Sequence, residues 1–230
     1  MSRRDNFEHR CTRCRIHRSL CFCALIPRLE TTTRVVLVIH RAEDRKTTNT
    51  GRLATECLAN SEILVRGHTA RESEAVPIAA GTTPLLLFPA DDAVPLTELA
   101  PQLEQSGPAV TLIVPDGTWR QASKVRKRVP GLANIPCVTF AGGARSRYRL
   151  RWEAHDHGLA TFEAIARALG ILEGPEIARA LELPFRAMVE RTLWARGVLR
   201  AKDVSVGIPE GVVRHDPESG LGVNPARGQC

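Results

Sequence analysis

The stretch AVTLIVPDGTW, residues 109–119, decides the fold more than any other part of the chain. Its first seven residues form a short apolar run, which is typical of a strand buried on both faces. Asp116 and Gly117 then predict a tight turn, and Thr118 can cap a helix that begins at Trp119. A carboxylate and an aromatic ring therefore lie where a buried strand gives way to a helix.

The same alternation of strand and helix extends in both directions from this stretch. Further strands are predicted at 34–40, 62–67, 84–88 and 136–140. Helices are predicted to begin near Thr48 to Thr50, to cover 95–107 unless Pro101 breaks the helix, to cover 116–129 and 161–172, and to cover 175–197 as one long helix or two short ones. The pattern predicts an α/β fold with a mainly parallel sheet and helices on both faces. Ligands of such sheets bind beyond the carboxyl ends of the strands.

The chain of 230 residues has 43% hydrophobic and 25% charged residues, as in an ordinary globular protein. The predicted organisation is a Cys/Arg-rich head over 1–28, an α/β domain over 29–200 and an irregular tail over 201–230. No apolar run approaches the length of a membrane span, and the first residues lack the apolar core of a signal peptide. We therefore expect a cytoplasmic protein with reduced thiols and no membrane contact.

Basic residues are concentrated in two segments, although the whole chain carries a formal charge of only +7. Residues 1–28 hold seven Arg and two acids, and residues 120–151 hold nine Arg or Lys and no acid. Such segregation favours a surface that binds a nucleic acid over a pair of solvated loops. The candidate RNA-binding residues are Arg10, Arg13, Arg15, Arg18, Arg120, Lys124, Lys127, Arg128, Arg145, Arg147, Tyr148, Arg149 and Arg151.

Two of these groups have a recognisable spacing. Arg120, Lys124, Lys127 and Arg128 would form a basic stripe on one face of the helix predicted at 116–129. The four arginines within 145–151 alternate, so an extended segment would point them to one side. Tyr148 would then point to the other side, where it can pack within the protein or stack on a base.

Four of the seven cysteines fall within thirteen residues, in the pattern C-x2-C-x6-C-x-C. Two close pairs of thiolates supply the tetrahedral ligand set that Zn²⁺ prefers, and a full set of four leaves no open position for catalysis. Cys11, Cys14, Cys21 and Cys23 are therefore predicted to bind a structural zinc ion. His9 or His17 could replace one cysteine, and an iron–sulfur centre or reduced thiols are the alternatives.

Taken together, these motifs make the chain similar to the DTW-domain family, which is named after its D-x-T-W motif. The residues that carry the resemblance are the cysteine pattern, Asp116 to Trp119, and several segments in the expected order. These segments are His40 with TTNTGRLA (47–54), LLLFPA (85–90), YRLR (148–151) and LATFEA (159–164). Arg41 and Ala160 depart from the family pattern, which has Pro and Ser there.

The resemblance implies a fold similar to the SPOUT class, with a knotted C-terminal part that binds S-adenosylmethionine (SAM). It also implies an activity, which is transfer of the 3-amino-3-carboxypropyl group of SAM to N3 of a tRNA uridine with release of methylthioadenosine. SAM, tRNA and Zn²⁺ are the expected co-substrate, partner and structural metal. The resemblance leaves the oligomeric state open.

Chemistry suggests which residues would serve that reaction. N3 of uridine must lose a proton, and Asp116 can accept it or can instead orient the cationic parts of SAM. Orientation decides which carbon next to the sulfonium is attacked. The residues expected to hold SAM are Phe88, Pro89, Asp116, Gly117, Thr118, Trp119 and Thr161.

Two alternatives share many of these features. A SAM-dependent RNA methyltransferase of similar fold would have the same sheet and basic surface but would transfer a methyl group. A zinc-bearing RNA-binding protein without catalysis would not need Asp116 beside a small-molecule cavity.

Overall fold

A computed structural model describes residues 6–67, 74–143, 145–150 and 158–214. Six strands form one sheet in which every pair is parallel, in the order β2-β1-β5-β3-β6-β4. The strands are β1 (Arg34–His40), β2 (Ser61–Arg66), β3 (Thr83–Leu87), β4 (Val94–Pro95), β5 (Val110–Asp116) and β6 (Cys137–Thr139). The predicted parallel α/β fold is confirmed, and all seven residues of β5 are buried between β1 and β3.

Seven α-helices accompany the sheet in the described residues. They are α1 (Arg41–Asp44), α2 (Thr50–Cys57), α3 (Leu96–Ser106), α4 (Trp119–Ala122), α5 (Val125–Arg128), α6 (Thr161–Leu172) and α7 (Pro175–Ala195). Two of these helices contain an internal proline and are not interrupted by it: α3 continues through Pro101, and α7 continues through Pro184. Among the described residues, no helix combines the length and the apolar character needed to cross a membrane.

The prediction of a single helix over 116–129 is wrong, because this segment forms two short helices, α4 and α5. The apolar side chains of this segment point in two directions. Val125 and Val129 are buried against the sheet, whereas Trp119 is 49% exposed and lies beside Phe88. A break near Lys124 allows each set of side chains to reach its own contacts.

Alternate residues of β1 point to opposite faces of the sheet and enter two separate cores. Val35, Leu37 and Ile39 belong to the larger core, which also receives side chains from α2, α6 and α7. Val36 and Val38 belong to the smaller core, which α5 and the residues after it cover. Each face therefore has its own helical cover, as the near-continuous apolar strands predict.

The cysteine-rich head packs directly on this domain. Ile16, Leu20 and Phe22 are buried in the larger core together with residues of α7. The buried guanidinium of Arg191, in α7, donates from Nη1 to the carbonyl oxygens of Leu20 at 3.0 Å and Cys21 at 2.7 Å. Its Nε also donates at 3.0 Å to the carbonyl oxygen of Gly207, so one side chain joins the head, the long helix and the C-terminal segment.

The residues that follow α7 are mostly irregular where they are described. One short 3-10 helix covers Ala201–Asp203, and Val204 returns to the larger core. The predicted irregular tail is described only as far as Arg214, and residues 215–230 lie outside the described part of the chain.

Replacing Arg191 by Ala should lower the free energy of unfolding by about 2 to 4 kcal/mol, because three carbonyl oxygens lose a charged donor. Urea denaturation of the purified protein measures this loss. Arg186, an exposed residue of the same helix, provides the matched control, and Arg186→Ala should change stability little. Equal stability of both variants and the wild type would contradict the role given to Arg191.

Candidate active site and metal centre

Asp116 is the last residue of the central strand, and its buried carboxylate joins three elements at the carboxyl end of the sheet. Its Oδ2 accepts a hydrogen bond from Nδ2 of Asn49 at 2.6 Å, and its Oδ1 accepts one from Oγ1 of Thr161 at 2.8 Å. Asn49 caps the start of α2, where its Oδ1 accepts from the backbone N–H of Arg52, and Thr161 begins α6. The carboxylate therefore fixes the starts of two helices relative to β5.

Gly51 makes this close approach possible. A Cβ atom at Gly51 would lie 2.7 Å from Oδ2 of Asp116 and 2.9 Å from Cδ1 of Leu37. Real Cβ atoms essentially never come so near another atom, and neither neighbour is free to move because both are buried. The TNTG segment after the first strand thus provides a cap, a hydrogen-bond donor and room for the carboxylate.

A cavity of about 620 Å³ opens next to this carboxylate, within the size range of small-molecule sites. It lies at the carboxyl ends of β3, β5 and β6, where a parallel sheet is expected to bind its ligand. Five of the seven residues predicted to bind SAM line it, namely Phe88, Pro89, Gly117, Trp119 and Thr161. Asp116 and Thr118 do not line it, and the hydroxyl of Thr161, which does line it, donates to the Asp116 carboxylate.

Aromatic rings and one cation give the cavity its character. Phe88 and Trp119 form a tilted pair with ring centroids 5.3 Å apart. Arg167, in α6, also lines the cavity, and its guanidinium carbon lies 4.5 Å above the Phe140 ring. Sequence reasoning missed Arg167, because one arginine on a helix with regular apolar spacing gives no signal of a ligand.

A second cavity of about 900 Å³ adjoins the first and shares Gly143, Leu159 and Arg167 with it. Three of the alternating arginines line this second cavity, namely Arg145, Arg147 and Arg149, and all three are exposed. Arg151, the fourth predicted member, lies outside the described residues. The structure therefore places the described members of this basic segment beside the aromatic cavity.

Glu163 and Tyr148 hold this segment in place. The carboxylate of Glu163 accepts hydrogen bonds from Oγ of Ser146 at 2.5 Å and from the backbone N–H of Arg147 at 2.7 Å. Tyr148 is only 6% exposed, its hydroxyl donates to the carbonyl oxygen of Thr48 at 2.7 Å, and its ring lies beside Phe185. Of the two roles considered for Tyr148, the structure shows packing, since a buried ring cannot stack on a base.

The predicted basic stripe is only partly a continuous surface. Arg120, Lys124 and Arg128 line a third, smaller pocket, and Lys127 is exposed outside it. Arg66, at the end of β2, completes the cationic lining, and His40, at the end of β1, adds an imidazole ring. Arg66 gave no sequence signal, because it follows four strand residues that predict only a buried element.

The four arginines of the head that are predicted to bind RNA all contact the protein itself. Arg13 pairs with Glu56 at 3.2 Å, and Nη1 of Arg15 donates to the carbonyl oxygen of Asp44 at 2.6 Å. Arg10 and Arg18 each donate to a backbone carbonyl oxygen of the head, at 3.3 Å. Arg13 and Arg18 are nevertheless exposed, so RNA contact by this group stays a prediction.

The four cysteines of the head converge on one point. Their Sγ atoms all lie within 4.8 Å of one another, with 3.3 Å between Cys11 and Cys23 and 3.7 Å between Cys14 and Cys21. Tetrahedral Zn²⁺ with its usual Zn–S bonds would separate the sulfur atoms by about 3.8 Å. The donor set and its spacing therefore suit a tetrahedral metal ion.

Neither nearby histidine joins this cluster in the described residues, and Nδ1 of His17 bonds Oγ of Ser19 at 2.7 Å instead. Burial, followed by side-chain hydrogen bonds of the Cys23 thiol to Cys11 and Cys21, raises the pKa of Cys23 to about 12. The metal-free thiol is therefore protonated at neutral pH, and a metal ion must displace that proton on binding.

The fold and the site together define an α/β protein with a small-molecule cavity at the strand ends, flanking basic surfaces and a cysteine cluster suited to a metal ion. Comparison with known families gives a match to the DTW domain over residues 8–193. The chain belongs to the DTW-domain family, as its motifs indicated.

Three relatives carry the name tRNA-uridine aminocarboxypropyltransferase 2. The protein of Drosophila melanogaster is 26% identical over 200 residues, which cover 82% of this chain and 76% of the relative. Those of Macaca fascicularis and Mus musculus are 28% and 29% identical over 169 and 170 residues, which cover 71% of this chain but only 56% of each relative. No solved structure matches the chain significantly.

Replacing Asn49 by Asp should keep the cap of α2 but place two carboxylates side by side. We expect unfolding free energy to fall by about 2 kcal/mol at pH 8, because a buried hydrogen bond is lost and like charges repel. The repulsion raises the pKa of the pair in the folded state, so the deficit should shrink as pH falls and one carboxyl regains its proton.

Urea denaturation at pH 8 and pH 5 measures both effects. The control is Asn60→Asp, because the Asn60 amide donates to the carbonyl oxygens of Thr31 and Thr32 rather than to a carboxylate. A deficit at Asn49 that does not depend on pH would show that the two carboxylates are not in contact.

Proposed function

We propose that the protein is a tRNA-uridine aminocarboxypropyltransferase, which transfers the 3-amino-3-carboxypropyl group of SAM to N3 of a tRNA uridine. The observation that carries the proposal is the aromatic cavity at the strand ends. Gly117 and Trp119 of the D-x-T-W motif line this cavity, and the buried Asp116 accepts a hydrogen bond from Thr161 in its wall. The names of three relatives, and the match to the DTW domain over most of the chain, support the same activity.

The cavity offers complementary groups for each part of SAM. Phe88 and Trp119 present aromatic faces suited to the adenine ring, and the Arg167 guanidinium can pair with the carboxylate of the amino-acid end. When bound, SAM supplies the transferred group on a sulfonium that leaves as neutral methylthioadenosine. The residues of the cavity must then expose the methylene carbon, rather than the methyl carbon, to the incoming nitrogen.

Thr161 and Asp116 form a path for the proton that N3 of uridine must lose. The Thr161 hydroxyl lines the cavity and donates to Oδ1 of Asp116 at 2.8 Å. We infer that this hydroxyl accepts the N3 proton as it gives its own proton to Asp116, while N3 bonds to carbon and the C–S electron pair returns to sulfur. A second role for Asp116, electrostatic attraction of the SAM cation, fits the same position.

The tRNA is proposed to lie over the two basic surfaces that flank the cavity. Arg145, Arg147 and Arg149 line the groove that opens into it, and Arg120 and Lys124 lie on the opposite side of the Asp116–Trp119 turn. Lys and Arg side chains in such positions supply the salt-dependent part of RNA affinity. The two surfaces would then direct one nucleotide into the space between them.

We also propose that the cysteine cluster holds a structural Zn²⁺. Four thiolates fill a tetrahedral shell, so the ion would stabilise the head and take no part in the transfer. Since the head shares the larger core, we expect the ion to stabilise the whole domain. We propose a cytoplasmic location, in which the thiols of the cluster would stay reduced.

We further infer a SPOUT-like topology with a knotted C-terminal part, as the resemblance implies. The order of the sheet supports this inference, because β5, which follows β3 and β4 in the chain, lies between β1 and β3, and β6 lies between β3 and β4. The arrangement places Asp116 at the centre of the sheet edge, where α6 returns to meet it.

The direct test of the activity is incubation of the purified protein with SAM and unmodified tRNA transcripts, followed by mass spectrometry of the nucleosides. We expect an aminocarboxypropyl adduct on uridine and stoichiometric methylthioadenosine. A methyl adduct with S-adenosylhomocysteine would identify a methyltransferase instead. Failure of the folded protein to bind SAM would exclude both enzymes and favour a non-catalytic RNA-binding protein.

Asp116→Asn tests the proton path in the same assay. The variant can keep both contacts, because its amide oxygen can accept from Asn49 and its NH2 group can donate to Thr161. Activity at neutral pH should fall by about 100-fold or more and then rise with hydroxide concentration toward the pKa of N3, where no base is needed. A uniform loss at every pH, with reduced SAM affinity, would assign Asp116 to SAM binding alone.

Removing the metal site should lower the thermal stability of the protein, because the ion stabilises the head and takes no part in the transfer. Metal analysis should find one Zn²⁺ per chain in the wild type and almost none in Cys14→Ser or Cys21→Ser, with a melting temperature lowered by several degrees. Cys57→Ser, which changes a buried cysteine outside the cluster, should retain the zinc. Full zinc content in the Cys14 and Cys21 variants would contradict the assignment.

A further inference from the structure

A small pocket of about 220 Å³ lies on the opposite side of α4 from the aromatic cavity. Four of its lining residues are cationic and a fifth, His40, can become so, and the described lining contains no carboxylate. The complete lining is His40, Arg66, Gly67, Arg120, Gln121, Lys124 and Arg128. So many cations around one small space would repel each other unless an anion lay between them.

Arg66 is a buried residue in the wall of this pocket. It is only 8% exposed, and one guanidinium nitrogen, Nη2, donates to the carbonyl oxygen of Gln121 at 2.5 Å. Its Nε is buried and has no hydrogen-bond partner in the described part of the chain. A buried N–H without a partner costs stability, so its retention beside a pocket points to a ligand that accepts this hydrogen bond.

His40 presents a second donor. Its Nδ1 accepts from the backbone N–H of Ala42 and from Nε2 of Gln121, both at 3.2 Å. Nδ1 therefore carries no hydrogen, and the proton of the neutral ring resides on Nε2. Nε2 faces Gly67, where a Cβ atom would come within 2.7 Å of it, so only glycine leaves this N–H accessible.

The pKa values of His40 and Arg66 are both lowered, which agrees with an anion site. Burial, together with Arg66 and Arg41, lowers the pKa of His40 below its ordinary 6.5, so the ring is neutral at physiological pH. Burial and then the nearby charge of Arg128 lower the pKa of Arg66, although arginine keeps its proton in proteins. An anion in the pocket would relieve the repulsion between Arg66 and Arg128.

We propose that this pocket binds one backbone phosphate of the RNA substrate, close to the nucleotide that enters the cavity. The bidentate geometry of arginine and the imidazole N–H suit phosphate oxygens, and the pocket is too small to hold a nucleoside as well. This inference rests on the proposed tRNA activity for its ligand, but the pocket itself does not depend on SAM.

Gln121 couples the pocket to the reacting turn. Its side-chain Oε1 accepts from the backbone N–H of Thr118 at 2.9 Å, its Nε2 bonds His40, and its carbonyl oxygen accepts from Arg66. A phosphate held by His40 and Arg66 would therefore fix Gln121, and with it the Asp116–Trp119 turn. The pocket would thus set the position of the RNA relative to the cavity, rather than add affinity alone.

Single methylphosphonate substitutions along the tRNA test this assignment, because each removes one backbone charge. For the wild type, one position near the modified uridine should weaken binding by about tenfold. In Arg128→Gln, tRNA affinity should fall by a similar factor, and the penalty at that position should shrink, because one of the cationic partners of the phosphate is already lost. The same variant should lower the salt slope of binding by about one unit.

Lys127→Gln is the matched control, since Lys127 lies next to Arg128 in α5 but outside the pocket. This variant should weaken all the tRNAs equally and keep the penalty at the sensitive position. Melting temperatures of both variants show whether the fold is intact. If the penalty at every position is as large in Arg128→Gln as in the wild type, the proposal is overturned.

Titration with inorganic phosphate distinguishes an RNA phosphate from a free anion. Tight binding of inorganic phosphate that depends on Arg128, without any coupled backbone position, would make this a free-anion site and would also overturn the proposal. The activity is judged separately, by product mass. If the wild type modifies tRNA but no backbone phosphate is coupled to Arg128, only the phosphate assignment of the pocket is refuted. If a phosphate is coupled to Arg128 but the tRNA is not modified, only the proposed activity is refuted.

Discussion

The contact between the Asp116 carboxylate and its two donors, Asn49 and Thr161, is the interaction on which the rest of the site depends. It lies at the end of the most buried strand and joins the starts of α2 and α6 to it. A buried carboxylate is costly without such donors, so the three residues stabilise each other's positions. The cavity opens on the Thr161 side of this contact, which places a charged group next to the ligand without exposing it to water.

The short helix α4 then separates two surfaces of different chemistry. On one side, Trp119 and Ala122 line an aromatic cavity suited to a nucleoside-like co-substrate, and on the other, Arg120 and Gln121 line a cationic pocket suited to phosphate. A transferase that joins a small donor to a polyanion needs both surfaces at a fixed separation. The break between α4 and α5 serves this arrangement, because a straight helix would turn Val125 away from the smaller core.

Much of this could be predicted from sequence because it depends on local patterns. The buried run before Asp116, the apolar spacing of α6 and the cysteine pairs each gave a correct element or cluster. The rest depends on contacts between distant parts of the chain. Asn49 and Asp116 are 67 residues apart, and Arg191 bonds carbonyl oxygens about 170 residues away. Arg66 and Arg167 look like ordinary members of a strand and a helix, so only the folded chain shows that they face cavities. Tyr148 was ambiguous because alternation gives direction but not burial.

A crystal structure of the protein with SAM bound would test the central claim most directly. The account predicts electron density for SAM in the cavity between Phe88 and Thr161, with its amino-acid end near Arg167 and its methylene carbon directed toward open space next to the Thr161 hydroxyl. Density for SAM at another site would contradict the assignment of this cavity to SAM. A methyl carbon turned toward Thr161, with the methylene carbon shielded, would contradict the proposed reaction.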